Sequence, residues 1–175
     1  MKQFPVRLRS ALAADAHCLG VLATHVWLDT YATDGIRETI AAEVLQSFSP
    51  QAIVALIAEP AVTFVLAEND AHLIGFAQWT AGARHGLVNG VNPAELDRLY
   101  VQERATGRGV GTLLLDTAER TARSQGIDAL WLQAWVHNDR ALRFYSKHAY
   151  RDLGGSEFRM GPEVHENRVL AKQLI

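Results

Sequence analysis

Gly107, Gly109 and Gly111 stand at alternate positions in the run Gly107-Arg108-Gly109-Val110-Gly111. The run lies between a segment that predicts a strand ending at Val101 and one that predicts a helix from Gly109 or Val110. A helix N-terminus carries unpaired N–H groups and partial positive charge. A turn without Cβ atoms lets a phosphate approach that backbone closely, and Arg108 can add a charge-assisted contact. The run is not a P-loop, because it contains no lysine, and Thr112 stands where a G-x-G-x-x-G fingerprint needs glycine. A different pyrophosphate cradle remains, or a tight turn that only lets a helix sit close to a sheet.

Upstream, Glu95, Asp97, Leu99 and Val101 alternate along a predicted strand and therefore share a face. Paired carboxylates can remove a proton or hold a cation; they can equally be the solvated end of a strand. Downstream, Asn138 is placed to cap a helix in which Ala141, Phe144, Tyr145 and His148 form an apolar-leaning stripe. Asn138 and Tyr145 are two turns apart, roughly 10 Å along the axis, and face the same side. The histidines show no H-x-x-x-H or Cys/His ligand spacing, so no metal is expected.

The elements around these residues follow from periodicity. Val6 to Arg9 predicts a strand. A helix then opens at Ala13-Ala14-Asp15 with Leu19, Leu22, Val26 and Trp27 at helical spacing. Two short helices are expected between Asp34 and Glu59, broken at Ser49-Pro50. Strands are expected over Val62 to Ala67 and Leu73 to Trp79, joined by a turn at Glu68-Asn69-Asp70. Gly82, Gly86, Gly90 and Pro93 mark Ala81 to Pro93 as a loop. A strand over Glu95 to Val101 follows, and the helix after the glycines presents Leu113, Leu114, Thr117, Ala118 and Thr121 and stops at Gly126. A strand over Ala129 to Val136, a helix from Asn138 to near His148, and two strands from Tyr150, closed by Val169 to Ile175, complete the chain. The class is α+β, a mixed, largely antiparallel central sheet flanked by helices.

At 175 residues the chain suits a single domain over 1–175. The net charge of −2 and the lack of a basic block argue against nucleic acid as a partner. No run approaches the roughly 20 apolar residues of a membrane span, and Met1-Lys2-Gln3-Phe4-Pro5 leads into no signal core. The one cysteine, Cys18, lies among Leu19, Leu22 and Val26 and reads as buried filler in a reducing compartment. A cytoplasmic protein, monomer or homodimer, is the expectation.

Leu99-Tyr100-Val101 with Gly107 through Leu114 resembles the acetyl-CoA motif of the GCN5-related N-acetyltransferases. Asn138-Asp139-Arg140-Ala141-Leu142-Arg143-Phe144-Tyr145, followed by Ala149-Tyr150, resembles that family's second motif, in the family's order and spacing. A closer likeness is to the PaiA-type spermidine/spermine acetyltransferases, through Leu96 to Val101, Trp131 to Trp135, Phe158 to Gly161 and the final Leu170 to Ile175. Three positions depart from the pattern: Thr106 replaces Gln or Arg, Glu103 a common proline, and Ala149 a glycine.

The resemblance implies acetyl transfer from acetyl-CoA to a small-molecule amine. Gly107, Arg108, Gly109, Val110, Gly111 and Thr112 would then meet the pyrophosphate, with more of the task on backbone N–H groups because Thr106 is short. Leu99, Tyr100 and Val101 would offer backbone to the pantetheine arm where the strand splays from its neighbour, and Asn138 would line it. Lys147 is a candidate for a cofactor phosphate or an ordinary surface lysine. An alkyl amine with a pKa of roughly 10.4 must lose a proton before it attacks. Glu95 occupies the position of a base in several family members, with Asp97 as alternative base or substrate anchor. Tyr145 matches the family's general acid for the leaving thiolate, against a reading as core. Trp27 and Tyr31, with Asp29, Asp34 and Glu38, could wall a polyamine site, or the acids could be a solvated helix face. An acyl-CoA-binding regulatory module without turnover is the alternative.

Overall fold

The computed structural model describes residues 5–174; the expectations that touch Met1 to Phe4 and Ile175 lie outside these. The order is β1 (Arg7–Ser10), a 3₁₀ turn (Ala13–Asp15), α1 (Ala16–Tyr31), α2 (Glu38–Ser47), α3 (Pro50–Ala58), β2 (Val62–Asn69) and β3 (His72–Ala81). It continues with β4 (Pro93–Val101), a 3₁₀ turn (Glu103–Ala105), α4 (Val110–Ser124), β5 (Ala129–Trp135), α5 (Asp139–Lys147), β6 (Arg151–Met160) and β7 (Glu163–Gln173). The strands form one mixed sheet in the order β1-β2-β3-β4-β5-β7-β6, an α+β architecture. The chain divides into two compact units, Met1–Trp79 with Arg98–Ala118, and Thr80–Asp97 with Glu119–Ile175.

In the first unit β1 pairs antiparallel with β2, Arg7 opposite Glu68. The Arg9 guanidinium joins the edge by bridging Asp15 and Glu68 at 2.7 and 2.6 Å. Ser49 and Pro50 break α2 from α3 for the reason their types suggest: the Ser49 hydroxyl accepts from the Ala52 N–H at 3.2 Å, and Pro50 sits where no intrahelical donor is needed. Gly75 in β3 is forced by packing, since a Cβ there would lie 2.8 Å from the Tyr100 carbonyl oxygen and 3.2 Å from a Leu114 methyl.

Two expectations fail in this unit. Cys18 is exposed, because the buried stripe of α1 runs through Ala16, Leu19, Leu22, Ala23 and Trp27, and one residue's step rotates a side chain about 100° around the helix. The β2–β3 turn is Asp70-Ala71, at φ 45° and 63°, while Glu68 and Asn69 remain in the strand. Two consecutive left-handed residues match the twist of a two-residue hairpin.

In the second unit β5 pairs antiparallel with β7 from Ala129–Gln173 to Trp135–Asn167. β7 pairs with β6 from Arg151–Ala171 to Met160–Glu163, with a bulge between Asp152 and Gly154. Glu119, near the end of α4, is 5% exposed and receives the Lys172 ammonium on both oxygens, at 2.9 and 2.7 Å. Residues 82–92 form a strap across one sheet face. Trp131 Nε1 donates to the Ala83 carbonyl at 2.9 Å, and the His85 ring lies 5.3 Å from that of Trp131. Gln173 Nε2 donates to the Asn89 carbonyl at 2.8 Å, and the Val91 and Asn92 N–H groups donate to Asp128 Oδ2 at 2.6 and 3.1 Å. No single helix among the described residues is long and apolar enough to cross a membrane.

Candidate active site

The glycines of the turn are not equivalent. Gly107 and Gly109 have φ of 71° and 82°, the left-handed region that side chains disfavour, and a Cβ on either would meet nothing within 4 Å. Gly111 lies inside the first turn of α4. The first helical bond is Leu113 N–H to the Gly109 carbonyl at 3.0 Å, so the N–H groups of Val110, Gly111 and Thr112 precede the ladder. Arg108 is exposed beside them. Thr106 does not extend toward this backbone; its hydroxyl donates to the Glu103 carbonyl at 2.7 Å. The residues present therefore fit an anion through backbone donors and glycine conformation.

β4 pairs with β5 in parallel over three positions, Pro93–Ala129, Ala94–Leu130 and Glu95–Trp131. Both strands continue beyond that ladder, β4 to Val101 and β5 to Trp135. Leu99, Tyr100 and Val101 thus lie on β4 past its last pair with β5, where backbone donors and acceptors can serve something other than that neighbour.

Glu95 sits at the last pair of the ladder, partly buried and facing the same side as Trp131 and Gln133. Burial and the nearby Asp97 push its carboxyl up to about 7, and a hydrogen bond from the Gln133 side chain partly opposes this. Asp97 is exposed and accepts from the Thr80 hydroxyl at 2.8 Å. Two carboxylates of one strand face thus have different surroundings. One is desolvated, so its charge is penalised; the other remains in water.

Asn138 caps α5 as its type predicts, Oδ1 accepting from the Ala141 N–H at 3.1 Å. Tyr145 is 7% exposed, with its ring 5.2 Å from Phe144 and 5.4 Å from Tyr150. Lys147 is exposed in the last turn. In the other unit Trp27 is buried and stacks at 4.7 Å on Tyr31. The Tyr31 phenol is pushed up by its own burial and by Tyr100. Of the nearby acids, Asp29 is exposed and lies 3.5 Å from His25, and Asp34 and Glu38 are exposed.

The Gln133–Ser156 contact and the packing of the expected Ala81 to Pro93 loop as a strap on Trp131 were not foreseen from the sequence. The available signal was Gln133 inside the otherwise apolar Ala129–Trp135 strand, ALWLQAW. Among the described residues no group of three or more His, Cys, Asp or Glu side chains is placed to hold a metal.

Comparison with known proteins gives the family and the fold. Residues 22–150 match the family model described as acetyltransferase (GNAT) family. The spermidine N(1)-acetyltransferase of Thermoplasma acidophilum is 28% identical over 161 residues, 89% of this chain and 95% of that one. An uncharacterized N-acetyltransferase in the pepI 3′ region of Lactobacillus delbrueckii subsp. lactis is 23% identical over 88% of this chain and 89% of its own length. Among solved structures, the PaiA N-acetyltransferase of Thermoplasma acidophilum in complex with coenzyme A superposes with a TM-score of 0.78 at 23% identity, covering 97% of this chain and 99% of that one. The glycine turn before α4 and the Asn138–Tyr145 helix both fall within the matched span, and the chain belongs to the acetyltransferase (GNAT) family as an acetyl-CoA-dependent acetyltransferase.

Proposed function

We propose that the chain acts as one domain that transfers an acetyl group from acetyl-CoA to a primary amine by direct attack, with Glu95 as base, Asp97 as cation anchor and Tyr145 as acid. The carrying observation is the unequal environment of the two carboxylates. A group at about 7 is part ionised at neutral pH and matched to accepting a proton there. An exposed carboxylate that accepts from Thr80 is placed to attract an ammonium. The sequence alone left base and anchor interchangeable; burial now favours Glu95 as the base.

Acetyl-CoA, when bound, supplies an activated thioester carbonyl. The backbone of Val110, Gly111 and Thr112, with Arg108, is assigned to its pyrophosphate, Leu99 to Val101 to its pantetheine amides, and Asn138 to the same arm; Lys147 is assigned to a phosphate. Tyr145 donates a proton to the departing sulfur, since a phenol with a pKa near 10 is still protonated at neutral pH. Trp27 and Tyr31 contribute an aromatic wall on the acceptor side. A polyamine is the preferred acceptor class, supported by the Thermoplasma spermidine acetyltransferase and by two carboxylates on one strand face.

An assay of thiol release across an amine panel that includes spermidine, lysine and a peptide N-terminus tests this. Spermidine should turn over fastest, with an acid limb in kcat/KM near pH 7 that Glu95→Gln abolishes. Coenzyme A binding without turnover of any amine would sink the transfer reading, and preference for a monoamine would sink the polyamine assignment.

A further inference from the structure

Gln133 and Ser156 have no part in the roles assigned above, yet the strand registers bring them to the Glu95 face. Gln133 pairs with Val169 of β7, and Val169 pairs with Gly154 of β6. Two residues further, Ser156 emerges on the same side as Gly154. The bulge between Asp152 and Gly154 makes this parity possible, because a regular ladder continued from Asp152 would turn Ser156 to the opposite face.

The Ser156 hydroxyl donates to Gln133 Oε1. With its oxygen so engaged, the Gln133 amide presents N–H toward Glu95, which accepts a hydrogen bond from that side chain. The strap closes the same face: Ala83 and Val88 pack on Trp131, Val169 and Ala171, and Leu87 lies where a Cβ on Gly154 would meet it at 3.1 Å.

We propose that Gln133 and Ser156 are positioning residues for the base: Ser156 orients the Gln133 amide, and the amide fixes the Glu95 carboxylate and steadies its ionised form. The inference rests on the reading of Glu95 as base. The charged group that acts on Glu95 is Asp97 on its own strand; His85 of the strap stacks on the neighbouring Trp131. β3, β5 and β6 contribute the neutral Thr80, Gln133 and Ser156.

The test is the pH dependence of kcat/KM for the preferred amine in the full-length wild type, Gln133→Leu, Ser156→Ala and Glu95→Gln, with the KM for acetyl-CoA measured alongside. Losing the donor disfavours the carboxylate, so Gln133→Leu should move the acid limb up by about one pH unit, a tenfold change in the proton equilibrium. Rates should return to the wild-type level at high pH, and the KM for acetyl-CoA should not change. Ser156→Ala should move the limb the same way by less, and serves alone if Gln133→Leu does not fold. A limb that stays in place in both variants while Glu95→Gln removes it overturns the positioning role, as does an equal loss at every pH. A limb that survives Glu95→Gln instead overturns the base assignment.

Discussion

Gly107 and Gly109 present bare, exposed backbone at φ 71° and 82°, whereas Glu95 sits partly buried opposite Trp131, on which the strap packs. In the proposed roles, the turn would serve an anion with dipoles that cannot titrate and need no neighbour to set them. The Glu95 face would serve a proton with a side chain whose charge is set by burial and by residues around it. A fixed cofactor can be held by local backbone geometry alone. A proton-transfer group near neutrality needs tertiary structure to tune it.

The largest expected effect tests whether chemistry belongs to side chains and cofactor holding to the turn. Tyr145→Phe removes the proposed acid from a buried ring that packs on Phe144 and Tyr150 and preserves the ring itself. A kcat lower by about 100- to 10,000-fold, with coenzyme A affinity unchanged by calorimetry, is expected. An unchanged kcat would return Tyr145 to the core.

Glu119 probes the other way the second unit uses charge, as a buried carboxylate that holds Lys172 and Arg123 and is outside the proposed roles. Glu119→Ala strands the Lys172 ammonium, which both carboxylate oxygens now hold, and urea unfolding should show a loss of about 3–5 kcal/mol. Combining Glu119→Met with Lys172→Met should recover part of it, because the buried ammonium is removed with its partner, while Arg123, 4.0 Å from Glu119 and half-exposed, returns to solvent. A double variant as unstable as the single one would mean that the pair does more than balance itself.

Gly109→Val should give the converse of the Tyr145 result. A β-branched residue at φ 82° is strained by about 1–3 kcal/mol, although open space surrounds the position. Coenzyme A affinity should fall while kcat at saturating acetyl-CoA stays near wild type. A fall in kcat at unchanged affinity would break the division between the two regions.

What was legible in the sequence follows the same division. The glycine turn, the Asn138 cap and the Ser49-Pro50 break are local patterns, in which side chain and backbone partner lie within a few residues. All three appear as their types predict. Gln133 and Ser156 are 23 residues apart, and their meeting depends on two ladders and a bulge that no composition or period reveals. The Glu119–Lys172 pair spans 53 residues and was equally hidden. Cys18 shows a finer limit, because an apolar neighbourhood in sequence located the helix but not the side of α1 that each residue faces. Glu95 lies between these cases: its strand position was readable, but the difference from Asp97 depends on burial.

Ala149 offers the smallest effect and the clearest test of backbone against side chain, because it sits at φ 66° where glycine is usual in the family's motif. The conformation is imposed by the end of α5: the Ala149 N–H donates to the Ser146 carbonyl at 3.1 Å and the Tyr150 N–H to the Tyr145 carbonyl at 3.1 Å, which closes the helix through a left-handed residue. An L-residue there costs about 1–2 kcal/mol, and glycine gives back part of that through the freedom of its unfolded chain. Ala149→Gly should therefore raise stability by about 1 kcal/mol and leave kcat unchanged, since the side chain is exposed and Tyr145 keeps its packing. A change in kcat without a gain in stability would mean that the strained corner holds the Tyr145 ring in place, and would make backbone geometry part of the acid's positioning as well as of the cofactor's.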